Sequence, residues 1–200
     1  MFSIVNKKED HVIFEQLWGD FCEERQLAFV DRGVKPVRYL LRGEGEKCIG
    51  TIEFASYRKG QSSNAEYFYP FSENQYIQEL SGLHVYETGK LSIKKQYRGR
   101  GHFKHLALIV LIHALENKAD WYIAVVTKRM FLYLRSLGFS IQPVDEDIPV
   151  QERLTLIPVR IDVKQGISQM LMLKEFRDVI KVSLHAQMLL KENYKNIMST

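Results

Sequence analysis

The stretch from His102 to Asn117 constrains this chain most. Phe103, Leu106, Leu108, Ile109, Val110, Leu111 and Ile112 make it apolar almost all round. A helix without a polar face is a buried helix. Ahead of it lies a glycine-rich turn, Gln96-Tyr97-Arg98-Gly99-Arg100-Gly101, and ahead of that Leu83 to Ile93 reads as a strand. Behind it, Trp121 to Thr127 reads as a second, buried strand. Such a unit predicts that the helix over 102–117 crosses one face of a sheet, right-handed. The strands at 83–93 and 121–127 then become parallel neighbours.

The rest of the chain supplies more strands and helices to cover that sheet. Residues 10–27 read as a helix, because Ile13, Leu17 and Phe21 recur every four residues. Arg38 to Arg42 and Cys48 to Phe54 read as strands joined by the hairpin turn Gly43-Glu44-Gly45-Glu46-Lys47. Ser56 to Gly82 reads as a long irregular loop that turns aromatic at Tyr67, Phe68, Tyr69, Phe71 and Tyr76. Loops of that length in a compact domain are usually functional or mobile. Arg129 to Leu137 reads as a short helix closed by Gly138. Phe139 to Val144 and Arg153 to Val163 read as strands flanking the acidic loop Asp145-Glu146-Asp147. Ser168 to Asn193 reads as one long amphipathic helix on Met170, Leu171, Phe176, Val179, Ile180 and Leu184. The expected fold class is α/β (α+β), a mixed central sheet flanked by helices. It forms one domain over 1–200, with 167–200 as a helical extension.

Composition narrows the function. With 46% hydrophobic and 26% charged residues the chain is an ordinary globular protein, long enough to build its core without staples. Cys22 and Cys48 lack metal-ligand spacing and read as reduced buried thiols, which points to the cytoplasm. No apolar run reaches the length of a membrane span, and Met1 to Asp10 is not a signal peptide. A net charge of +4 suits an anionic ligand but is too weak and scattered for nucleic-acid binding. His102, His105 and His113 do not share one narrow helix face, so no metal site is expected.

The turn carries the chemistry. Gly99 and Gly101 let backbone approach a ligand closely. They feed the N-terminus of a long helix, whose first N–H groups lack internal partners and sit at the positive end of the helix dipole. Those groups can hold phosphate oxygens, with charge added by Arg98 and Arg100. The turn is not a P-loop, since no Gly-Lys-Ser/Thr follows, and it lacks the third glycine of a dinucleotide fingerprint. Taken alone, it also fits a tight basic turn with no ligand.

The surrounding residues resemble the GCN5-related N-acetyltransferase superfamily. Its Gln/Arg-x-x-Gly-x-Gly/Ala signature is matched by Gln96 to Gly101, and its Tyr-x-x-x-Gly-Phe-like helix end by Leu134-Arg135-Ser136-Leu137-Gly138-Phe139. The resemblance implies an acyl-CoA-dependent N-acyltransferase, with acetyl-CoA or another acyl-CoA as co-substrate and a small amine as acceptor. It implies that Gln96, Tyr97, Arg98, Gly99, Arg100, Gly101 and His102 bind the pyrophosphate. Leu91 and Ile93 would pair with the pantetheine arm through backbone groups, and Glu87 would be the general base. Thr127 stands where the superfamily often has an asparagine at the donor site. The frequent general-acid tyrosine would fall at Leu134, while the adjacent Tyr133 points elsewhere on a helix.

A narrower resemblance links Glu87-Thr88-Gly89-Lys90-Leu91-Ser92-Ile93 to the Glu-x-Ser-Arg-Phe-x-Val segment of acyl-homoserine-lactone and N-acyl amino acid synthases, with Lys90 in place of arginine. That implies a long acyl donor, which acyl carrier protein can deliver. The aromatic loop could roof such a chain, or its rings could simply close the core. Lys174, Arg177 and Lys181 could meet an acidic carrier, or they could be a solvated face. Three readings stay open: acetyl transfer, transfer of a longer acyl group, and a catalytically silent acyl-CoA-binding domain.

Overall fold

The computed structural model describes residues 2–32, 35–151 and 154–197. Its strands are β1 (Phe2–Ile4), β2 (Val37–Arg42), β3 (Cys48–Ser56), β4 (Val85–Ile93), β5 (Trp121–Thr127), β6 (Ile141–Pro143), β7 (Ile148–Gln151) and β8 (Leu154–Asp162). Its helices are α1 (Lys8–Arg25), α2 (Asn64–Phe68), α3 (Gln75–Gln78), α4 (Phe103–Glu116), α5 (Lys128–Ser136), α6 (Val163–Met172), α7 (Lys174–Lys181) and α8 (Leu184–Ile197). The strands form one mixed sheet in the order β1-β2-β3-β4-β5-β8-β6, with β7 paired to β8. β4 and β5 are parallel neighbours joined by α4, as the central unit requires.

Alternating side chains cover both faces of the sheet, as the pleat demands. On one face Leu106, Ile109 and Ile112 of α4 pack with Tyr39, Phe54 and Tyr122 of the strands and with Phe176 and Ile180 of α7. On the other, Phe14 and Leu17 of α1 meet Leu40, while Ala65, Phe71 and Ile77 meet Val85 and Ile123. Tyr39 and Leu40, like Tyr122 and Ile123, are chain neighbours that serve opposite layers.

Four expectations need correction. The long C-terminal helix is three helices, and the first begins at Val163. Leu173 is extended (φ −79°, ψ 123°), which turns the chain so that Phe176, Val179 and Ile180 reach the core. The stretch from Ser56 to Gly82 is not irregular throughout, since α2 and α3 lie within it. β1 and β7 were not anticipated; each is short, and β7 contains Pro149. Of the two thiols, Cys22 is buried but Cys48 only half-buried. The expected strand start at Arg153 lies outside the described residues.

Ile109 is fully buried in the centre of the larger core, and Val182 is 81% exposed. Ile109→Ala should therefore lose about 2–5 kcal/mol of stability, and Val182→Ser within about 0.5 kcal/mol of nothing. Urea unfolding of both variants measures the difference.

Candidate active site

The site begins with an irregularity in β4. Thr51 pairs with Ser92 and Glu53 with Gly89, so the ladder runs two residues on β3 against three on β4. The extra residue is a β-bulge at Lys90, whose φ is +47°. Thr51 takes up the displaced backbone: its hydroxyl donates to the Lys90 carbonyl at 2.6 Å and lies 2.7 Å from the Ser92 hydroxyl. Residues 87 and 90 would face opposite ways in a regular strand. The bulge brings both side chains to the α1/α2 side, where Lys90 reaches Asp31 and Glu87 reaches Ser63.

Glu87 is also where β4 and β5 part. The parallel ladder runs only from Val85–Trp121 to Glu87–Ile123. Beyond it β4 stays with β3, and β5 pairs with β8 as far as Thr127. A cavity of about 1030 Å³ opens between Thr88–Ile93 and Ala124–Thr127. It continues into apolar space beneath α4, lined by Leu106, Ala107, Val110, Leu111 and Ala114, and it reaches Ile167 and Met170 of α6.

Glu87 lines this cavity and is 5% exposed. Its carboxylate accepts a short hydrogen bond from the Ser63 hydroxyl and a 3.0 Å bond from the Ala65 N–H. Ser63 is held because it caps α2, accepting from the Glu66 N–H. Burial raises the pKa of Glu87 against the opposing pull of these hydrogen bonds, and Glu53 adds to the rise.

A charged network missing from the sequence reading backs this wall. Arg38 donates to Glu53 at 2.6 Å, Glu15 at 2.7 Å and Asp31 at 2.9 Å. Lys90 lies 2.9 Å from Asp31 and 3.2 Å from Glu53. Asn64 donates to the other oxygen of Glu53 at 3.0 Å. The one sequence signal was the run of polar positions inside otherwise apolar strands: Arg38, Glu53, Glu87 and Lys90.

The glycine-rich turn lies at the far end of the cleft. Gly99 (φ +74°) and Gly101 (φ +77°) adopt left-handed backbone that favours glycine, and they deliver the chain to His102, the cap of α4. Tyr97, Arg98, Gly99, Gly101 and His102 line the cavity with Leu91, Ile93 and Thr127, whereas Gln96 and Arg100 are exposed outside its wall. Arg98 is engaged: its guanidinium donates to the Ile93 carbonyl at 2.7 Å and clamps the Glu24 carboxylate at 2.6 and 2.8 Å. It therefore ties the turn to α1. Thr127 caps α5, its hydroxyl accepting from the Met130 N–H at 3.2 Å.

Tyr133 does not point away from the site as a simple helix suggests. Both it and Leu134 line the cavity, and its ring meets Phe103 edge-on at 5.2 Å. Burial raises its pKa, so the phenol stays protonated at neutral pH. Gly138 (φ +81°) closes this helix, and Gln169 of α6 donates to the Leu137 carbonyl at 2.6 Å. Of the loop aromatics, Phe68 lines the cavity and Phe71 is buried in the core, while Tyr67 and Tyr76 are about half exposed.

No protein-family model matches the sequence, and no curated protein matches it. Solved structures do match its fold. FeeM, an N-acyl amino acid synthase from uncultured soil microbes, superposes with a TM-score of 0.67 at 16% identity, covering 84% of this chain and 93% of its own. BjaI, a CoA-dependent acyl-homoserine lactone synthase seen with SAM and isopentyl-CoA, gives 0.60 at 16% identity over 90% and 88%. The acyl-homoserine lactone synthase LasI gives 0.57 at 15% identity over 82% and 89%. The chain thus has the acetyltransferase-like fold of acyl-transferring synthases.

The raised pKa of Glu87 has a measurable consequence. The folded state binds this proton more tightly than the unfolded chain, so its contribution to stability is present at low pH. It is lost as pH rises from the ordinary glutamate value through the raised one. Glutamine cannot titrate. The melting temperature of Glu87→Gln relative to wild type should therefore rise with pH above about 4.3. A difference that is flat or falling over pH 4–8 would show that the carboxyl is not destabilised by burial.

Proposed function

We propose that this protein transfers a medium- or long-chain acyl group from coenzyme A to a primary amine. One observation carries the reading: the cleft between β4 and β5 continues as an apolar cavity beneath α4. An acetyl group needs only the mouth of such a cleft, whereas a long chain can gain about 0.8 kcal/mol for each methylene it buries.

The residues present fit the donor. The first N–H groups of α4, reached through Gly99 and Gly101, would hold the pyrophosphate. The edge of β4 beyond Glu87, which no neighbouring strand pairs on the β5 side, offers backbone groups to the amides of the pantetheine arm. The thioester would then lie near Glu87. Glu87 would take a proton from the acceptor ammonium. The amine nitrogen then attacks the thioester carbon, the carbon–sulfur bond breaks, and the thiolate leaves. A carboxylate with a raised pKa is suited to that transfer near neutral pH. The leaving thiolate needs no dedicated acid. The exposed Lys174, Arg177 and Lys181 of α7, interleaved with Glu175 and Asp178, would be where an acidic acyl carrier protein docks if it delivers the donor in place of coenzyme A. Among the described residues no helix is long and apolar enough to cross a membrane.

Free-thiol release with donors from acetyl- to decanoyl-CoA tests the reading. Turnover should favour the longer donors. Ala107→Phe, which adds a ring to the cavity wall, should cut kcat/KM for decanoyl-CoA by about 10–100-fold and spare acetyl-CoA. Glu87→Gln should lower kcat by roughly 10²–10⁴-fold with donor affinity little changed. A preference for acetyl-CoA would remove the long-chain reading. Donor binding without thiol release from any donor would leave a silent binding domain.

A further inference from the structure

The cleft sorts its charges by end. At the turn, Arg100 and Arg129 are exposed, and among the described residues neither makes an ion pair; Arg129 lines the cavity wall. At the Glu87 end the cations are committed. Arg38 is held by Glu53, Glu15 and Asp31, and Lys90 by Asp31 and Glu53. With Glu87, the carboxyl groups on this side outnumber the cations. Arg32, the cation that follows Asp31, lies over the Tyr67 ring at 4.7 Å and is not part of the cavity wall. Glu87 pairs with Ile123. Arg129 comes after Thr127, which ends a further run of strand about 13 Å long. That run sets Arg129 toward the other end of the cavity from Glu87.

Arg25 also lines the cavity, but its guanidinium lies 3.5 Å from Glu24, the carboxylate that Arg98 of the turn clamps, so it belongs to the turn end. Asn64 apart, the wall between α1 and α2 is mostly apolar. Trp18 and Leu27 line the cavity on the α1 side, with Val30 and with Phe68 of α2. The indole N–H of Trp18 is buried and has no hydrogen-bond partner among the described residues. A single neutral donor can bond an amide or ester carbonyl, but it does not neutralise the charge of a carboxylate.

Resting on the acyl-transfer reading, we propose that the acceptor is a cationic amine with an apolar or aromatic body and no free carboxylate: an arylalkylamine, or an amino acid whose carboxyl is amidated or esterified. A free amino acid would bring its carboxylate into a low-dielectric wall beside Glu53 and Glu87, with no uncommitted cation to meet it. The cost is that of an unpaired buried charge. An ammonium group is drawn to the same wall and delivered to the base.

The test measures thiol release from decanoyl-CoA with phenylalanine, phenylalanine amide and phenethylamine as alternative acceptors. The amide and phenethylamine should exceed phenylalanine in kcat/KM by about 30-fold or more, the lower end of what an unpaired buried charge costs. Phenethylamine, whose amine is at least as basic as that of phenylalanine, separates charge recognition from amine reactivity. Asp31→Asn removes one carboxylate from a side chain that is 46% exposed. Lys90 keeps Glu53, and Arg38 keeps Glu53 and Glu15, but with one carboxylate fewer against these cations the ratio should narrow by roughly tenfold. Phenylalanine used as well as its amide would overturn the proposal. So would turnover of none of the three by a protein that binds decanoyl-CoA. A protein that does not bind the donor at all would reject the acyl-transfer reading beneath it.

Discussion

Lys90 is a lysine in left-handed backbone, and the carboxylates of Glu53 and Asp31 hold it there. A non-glycine residue at positive φ costs about 1–3 kcal/mol unless its surroundings over-determine it. Here they do: the ammonium is anchored at two carboxylates, and the displaced carbonyl is taken by Thr51. The site's geometry depends on this bulge. It turns Glu87 and Lys90 to one side and leaves the Leu91 and Ile93 side chains packed against the α4 layer. Buried ion pairs are poor evidence for stability, because desolvation offsets much of their attraction. Their role here is to fix one geometry of β4.

The cleft follows from topology. Among the described residues β4 and β5 are the one parallel pair in an otherwise antiparallel sheet, and α4 crosses between them. β3 and β8 hold them on their outer sides, so the two strands can separate past Glu87 without losing the rest of the sheet. The space between them leads to the N-terminus of α4 at one end and to the buried carboxyl of Glu87 at the other. In the proposed reaction an anionic donor and a cationic acceptor would meet from opposite directions at the β4 edge that β5 leaves unpaired.

Much of this frame was legible in the sequence. The apolar run from Leu106 to Ile112 reads as a buried helix, and the glycines at 99 and 101 mark how the chain enters it. The register of β3 against β4 was not legible, because a bulge is a relation between two strands. The network of Asp31, Arg38, Glu53 and Lys90 was not legible either, since its members are scattered along the chain and meet only in the folded sheet. α2 has five residues, too few for a period to show, yet its cap Ser63 holds Glu87. The break at Leu173 escaped because no glycine or proline marks it. The apolar period runs straight through, and the core contacts of Phe176 and Ile180 decide the turn.

A crystal structure with a decanoyl-CoA analogue whose thioester is replaced by an uncleavable thioether measures the central claim most directly. The account predicts the pyrophosphate against the backbone N–H groups from Gly99 to Phe103. It predicts the pantetheine arm along β4 beyond Glu87, and the alkyl chain beneath α4 beside Ala107 and Val110. A pyrophosphate bound away from that turn, or an alkyl chain lying on the outer surface with the cavity beneath α4 unentered, would contradict it.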